Sequence, residues 1–249
     1  MTSLDIVADL IREFNPEKPH FHATEIYNES WLLKAILHQT SKLGPSEFPL
    51  AFAPKATWFS EAYLPTAFKA RYHGDPLAEA RTHADGTIGH FTIGRNAKSD
   101  LQLESGTRQF TVVEAKMKSP LSSGSTNAPG YDQAARTVAC MAEALLQTSL
   151  QAVNLEKLSY VVLAPAEAIE AGTFSSQMTS RSIREKVHIR VAAYEGGLDG
   201  WYEGWFLPLI DIIDIYTLSW EAVLDWVWES DQAAARALQA FYERCLEFN

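Results

Sequence analysis

Between Ala23 and Leu43 apolar residues recur at near-helical spacing, with Ile26, Leu33, Ile36 and Leu37 on one face and Gly44-Pro45 closing the run. That pattern predicts an amphipathic helix. Residues 45–80 lose the periodicity: prolines alternate with scattered aromatics such as Phe48, Trp58, Phe59 and Phe68, which predicts irregular segments and short helices. Thr82–Ile93 is a glycine-interrupted apolar run and predicts the first strand of an antiparallel meander. Leu101-Gln102-Leu103-Glu104 predicts the next strand, Ser105-Gly106-Thr107 a hairpin turn, and Phe110–Lys116 the strand that follows. Ser119–Gly130 has the Ser, Gly and Pro content of a mobile loop, either a lid or contact loop, favoured by its attachment just after Lys116, or a plain crossover, and Tyr131–Leu146 has that of a helix. Leu158–Ala164 is almost continuously apolar up to Pro165. It fits a strand buried on both faces, reached from the preceding strand by a helical crossover. Residues 167–190 predict polar helix, 207–218 another strand, and 220–248 an amphipathic closing helix with Trp220, Val223, Leu224, Val227 and Leu238 in the core.

The chemistry concentrates at the end of the 110–116 strand. Side chains two apart on a strand share a face, so Glu114 and Lys116 point the same way. If the two predicted strands pair across the 105–107 turn, Asp100 ends beside Glu114. Two carboxylates and an ammonium at strand ends form a hard-oxygen site for a divalent cation, with a positive group beside the metal-bound water, a set suited to phosphodiester hydrolysis. Asp85 is a rival for the first acid. Asp100 is preferred because its strand leads through one short turn into that of Glu114. Glu29 lies on the apolar face of the first helix, where a buried carboxylate needs a partner or a metal. Gln133, Arg136, Thr137 and Cys140 share a face of the 131–146 helix and can look toward the same place.

This arrangement resembles the PD-(D/E)XK, or restriction-endonuclease-like, nuclease superfamily, with Asp100 as the first acid and Glu114-Ala115-Lys116 as the (D/E)XK element. Ser99 stands where the signature names proline. The apolar strand before Glu114, the 14-residue spacing from Asp100, the polar loop after Lys116 and the helix carrying Gln133 all agree with it. The resemblance spans about residues 22–165. It implies an α/β fold, a restriction-endonuclease-like central mixed β-sheet flanked by helices, with extra N- and C-terminal helical segments. Length, composition and charge distribution fit one domain over 1–249, with a core at about 22–165 and an acidic C-terminal layer at about 166–249. The implied activity is metal-dependent hydrolysis of nucleic acid, with DNA the first expectation. Mg²⁺ or Mn²⁺ would be held by Asp100, Glu114 and the Ala115 carbonyl. Lys116 would act on the water, Glu29 would hold a metal water or second ion, and Gln133 would orient the water or the lysine. The alternative is a non-catalytic nucleic-acid-binding or assembly module on the same fold.

Charge and composition adjust this picture only slightly. Of the net charge of −10 over 249 residues, residues 195–249 hold eleven acids against Arg236 and Arg244, so the rest is nearly neutral and compatible with a local basic groove. Arg181, Arg184, Lys186 and Arg190 are the densest basic cluster; a solvated helix face is the preferred reading and phosphate contact the functional alternative. The acidic C-terminal region suits a basic protein partner, and a homo-oligomer is compatible. Cys140 and Cys245 indicate neither a disulfide framework nor a metal cluster. With no signal-like or membrane-spanning run in the sequence, a cytoplasmic protein without membrane association is expected. The His20/His22 and His83/His90 pairs lack metal-ligand spacing, no Gly-x-Ser-x-Gly elbow occurs, and the Trp201–Phe206 aromatics read as core.

Overall fold

A computed structural model describes residues 3–79, 82–94, 97–125 and 128–249. In chain order its helices are α1 (Ser3–Arg12), α2 (Glu29–Thr40), α3 (Gln133–Gln147), α4 (Ala166–Glu170), α5 (Ser180–Ala192), α6 (Asp199–Trp201), α7 (Leu207–Ile210), α8 (Trp220–Ser230) and α9 (Gln232–Phe248). The strands are β1 (Thr57–Leu64), β2 (Thr82–Gly89), β3 (Phe91–Ile93), β4 (Leu101–Leu103), β5 (Gln109–Ala115), β6 (Gly124–Ser125), β7 (Ala128–Pro129), β8 (Lys157–Ala164) and β9 (Asp214–Ser219).

Five strands form the central sheet in the order β1-β2-β5-β8-β9. β1, β2 and β5 run antiparallel to their neighbours, and β5, β8 and β9 run parallel, so β5 is where the sheet changes character. All seven residues of β5 are buried, as are seven of the eight in β8. Their continuous apolar sequence follows from helices on both faces. Strand alternation sends Phe110, Val112, Tyr160 and Val162 into a core layer shared with α3 and α5, and Val113, Ala115, Val161 and Leu163 into one shared with α2, α8 and α9. The fold is thus α/β, with a mixed sheet between helical layers.

Several boundaries differ from the sequence expectation. The edge strand β1 lies within the stretch expected to be irregular. Residues 207–218 divide into helix α7 and strand β9. That strand completes the sheet from beyond the expected core limit at residue 165. The single closing helix is two, because Asp231 leaves helical geometry at φ −147° and its carboxylate accepts from Ala234 N at 3.0 Å, capping α9. The expected extra N-terminal helical segment is present as α1, ahead of the α2 region. Among the described residues no helix is long and apolar enough to cross a membrane.

The most consequential difference is the meander. The chain has already reversed before Leu101 and not at 105–107: Phe91–Ile93 pairs antiparallel with Leu101–Leu103, and Gly86–Gly89 pairs with Phe110–Val113. Residues 104–108 form a kink in the returning arm, tied by the Thr107 hydroxyl to the carbonyls of His90 and Glu104, both at 2.7 Å. Across the sheet, Gly89 lies so near β5 that a Cβ there would sit 2.2 Å from the Gln109 carbonyl oxygen.

Gln109 locks β5 to the irregular segment before β1. Its fully buried amide donates to Ala51 O at 3.0 Å and accepts from Ala53 N at 2.7 Å. Leucine has similar bulk but leaves the Ala53 N–H unpaired and Ala51 O with only the long contact from Lys157 Nζ at 3.5 Å, at about 1–3 kcal/mol for a buried group left unsatisfied. Gln109→Leu is therefore expected to lower the melting temperature by several degrees, since about 1 kcal/mol moves a chain of this size by roughly 2–4 °C. An unchanged melting temperature in a thermal scan would refute the bond's structural role.

Candidate active site at the β2–β5 junction

The strand beside β5 is β2, so the acid next to Glu114 is Asp85. One residue past the Gly86↔Val113 pair, the Asp85 carboxylate accepts from Ala115 N at 2.8 Å, pinning the end of β5 to β2. Asp100 lies elsewhere. Its strand belongs to the separate β3–β4 ladder, and Asp100 itself bridges Tyr63, whose N–H donates outward from β1 to Ser99 O at 2.8 Å. β1 and β2 therefore stand between Asp100 and β5, three strand spacings or about 14 Å of backbone. The expected Asp100–Glu114 juxtaposition does not form, because the turn between their strands is a kink and not a hairpin.

Glu114 is 1% exposed. Its Oε1 accepts from Lys116 Nζ at 2.7 Å and, in a short contact, from Gln133 Nε2. Its Oε2 is buried with no hydrogen-bond partner. The expected same-face placement of Glu114 and Lys116 is thus observed, and Gln133 joins them from the first residue of α3. Burial is the main force raising the Glu114 carboxyl, the charge of Asp85 adds to it, and Lys116 opposes it. Together they push Glu114 up to about 8.

The supports are as informative as the acids. Gln133 is held by Ser122: its N–H donates to Ser122 O at 3.0 Å, and its Oε1 accepts from Ser122 N at 3.2 Å. Arg136 reaches the Ser122 hydroxyl at 3.1 Å, so the two residues read as sharing a face do converge, on the loop after Lys116. Lys116 is fixed through its backbone, which donates to Leu163 O at 2.8 Å and accepts from Trp220 Nε1 at 3.0 Å. Asp132 caps α3 through Ala135 N at 3.0 Å and pairs with Lys186 on α5. The sequence marked Trp220 only as core and Ser122 only as part of a loop; Trp220's bond to Lys116 joins positions far apart in the chain, and Ser122's role depends on how the loop folds back onto the start of α3.

The other expected site residues lie apart from this group. Glu29 opens α2 and faces α9, where its charge helps raise the buried Cys245 thiol. Arg181 pairs with Glu185 and Arg184 with Asp211. Arg190 is 5% exposed, stacked over Phe68, Tyr131 and Tyr194. A helix face read as solvated, with phosphate contact as the alternative, thus has one arginine withdrawn into the core and two engaged by carboxylates. Trp201 packs against Phe68 and Phe206, as core.

Comparison of the chain with protein-family models, with curated proteins and with solved structures finds no match. Among the described residues no three His, Cys, Asp or Glu side chains gather as a metal-holding set. A cation here would have two carboxylates, backbone oxygen and water as its ligands. The unpartnered Glu114 Oε2 and two neighbouring carboxylates fit such an ion, which would satisfy the orphaned oxygen and relieve the repulsion.

The raised Glu114 carboxyl has a sign that can be checked without any ligand. The unfolded chain ionises near the ordinary 4.5, whereas the folded chain holds the neutral form to about 8. This contribution to stability is therefore full below about 4.5, is lost as pH rises between those values, and is level above. Glu114→Gln cannot ionise, so in chelator its melting temperature should gain several degrees on wild type from pH 5 to pH 8, then track it. A constant difference across that range would contradict the assigned environment.

Proposed function

We propose that the chain is a divalent-metal-dependent nuclease with a restriction-endonuclease-like core, in which Asp85 serves as the first acid in place of Asp100. The observation that carries this reading is the meeting of Asp85, Glu114, Lys116 and Gln133 at the β2–β5 junction, with Glu114 Oε2 left unpartnered. Asp85, Glu114 and the Ala115 carbonyl are the residues that would hold Mg²⁺ or Mn²⁺. A bound ion would polarise the phosphate and lower the pKa of a coordinated water.

The protein's own groups divide the remaining work. Lys116, 14% exposed and held by backbone bonds at both its N–H and its carbonyl, keeps an ammonium where negative charge develops on the phosphate and where it can orient the attacking water. Gln133 fixes the Glu114 oxygen that Lys116 also contacts, so the carboxylate presents its other oxygen in one orientation. The 119–125 segment, tied to Gln133 and Arg136 through Ser122, couples a surface loop to that orientation. DNA remains the first substrate to try.

Cleavage assays on duplex DNA, single-stranded DNA and RNA with Mn²⁺ should show activity that Lys116→Ala and Asp85→Asn each reduce by on the order of 10²-fold or more, while Asp100→Asn stays near wild type. Loss with Asp100→Asn and retention with Asp85→Asn would reverse the assignment. Equal rates in wild type and Lys116→Ala would end the nuclease reading.

Mn²⁺ should also raise the melting temperature of wild type, by the equivalent of about 2.7 kcal/mol at 100 times its dissociation constant, and Asp85→Asn should remove most of that response. A full response in the variant would place the ion elsewhere.

A further inference from the structure

Between α5 and the segment leading into α3 lies a cavity of about 270 Å³, at the small end of ligand-sized sites. Leu77, Pro129, Tyr131 and Ile189 give it apolar walls, and Lys186 and Arg190 give it a cationic side. Arg190 is more than nine-tenths buried, yet its Nε has no hydrogen-bond partner; the nearest carboxylate oxygen, on Glu79, is 3.9 Å away and too far to accept. The Tyr131 hydroxyl is likewise buried and unpartnered. Arg190 Nη2 donates to Leu77 O and Glu79 stands at ion-pair distance, so what is left open is the Nε donor; a buried guanidinium with an unused donor beside aromatic and aliphatic walls suits a flat aromatic group that carries an anion.

The cavity's lining is tied to the start of α3, where Gln133 sits, by chain connection and by an ion pair. Tyr131 precedes Gln133 by two residues, and Lys186 pairs with Asp132, the cap of the helix that Gln133 begins. The geometry points to a pocket for a single nucleotide of the strand being cut, with base against Tyr131, Pro129 and Ile189 and phosphate toward Lys186 and Arg190. This assignment rests on the nuclease reading for its substrate class.

Calorimetric titration of the full chain in EDTA, with adenosine 5′-monophosphate, adenosine and inorganic phosphate as probes, tests it. The monophosphate should bind saturably, with adenosine and phosphate each about fivefold weaker or more. Lys186→Gln should weaken the monophosphate about threefold or more, and Ala193→Trp, which fills the rim, about tenfold, with circular dichroism confirming that both fold. Absence of saturable binding to wild type, binding unchanged in both variants, or phosphate binding as tightly as the nucleotide would overturn the pocket. Cleavage of nucleic acid without nucleotide binding removes this inference and leaves the nuclease reading intact. Nucleotide binding in a chain that cleaves nothing with Mn²⁺ does the reverse.

Discussion

The close approach of β2 to β5 is the constraint on which the rest depends. Only a glycine at position 89 lets the strands meet there, and the register it fixes carries Asp85 to the Ala115 amide. Once β5 is pinned on that side, β8 pairs on the other in parallel and buries Glu114 beneath α3. The raised Glu114 carboxyl is a consequence of this sandwiching. A carboxylate at an exposed strand end would feel neither the desolvation nor the nearby Asp85 as strongly.

Much of this was legible in the chain, and the failures have a common cause. The apolar runs ending at Ala115 and Ala164 identified two central strands because burial on both faces leaves a signal that needs no partner to interpret. Gln133 was legible because helical spacing set it on a face with Arg136. Asp100 was misplaced because Ser105-Gly106-Thr107 has turn composition, and local composition cannot distinguish a turn that reverses the chain from a kink within one arm. Arg190 was misjudged for a similar reason: in a polar helix its burial depends on Phe68, Tyr131 and Tyr194, which arrive from three other segments. β1 was obscured by the prolines around it.

The acidic C-terminal region also takes on a different meaning in three dimensions. Glu221 accepts from Ala166 N at 3.0 Å and from the Tyr242 hydroxyl at 2.6 Å, and Asp211 holds Arg184. Part of the negative charge is thus spent on joining α4, α8 and α9 to the sheet, and is not offered to a partner.

The bond from Trp220 Nε1 to the Lys116 carbonyl joins positions 104 residues apart in sequence, and the Lys116 amide is held by Leu163. During synthesis, then, the acids and the lysine emerge from the ribosome well before the groups that fix them. The Asp85–Ala115 contact can form once the hairpin is made, but the lysine backbone acquires its second anchor only when the chain has grown past the start of α8. A chain that ends short of α8 therefore carries Asp85, Glu114 and Lys116 without the second anchor of the lysine backbone, so the last fixed geometry of this group depends on a residue that follows the final strand of the sheet.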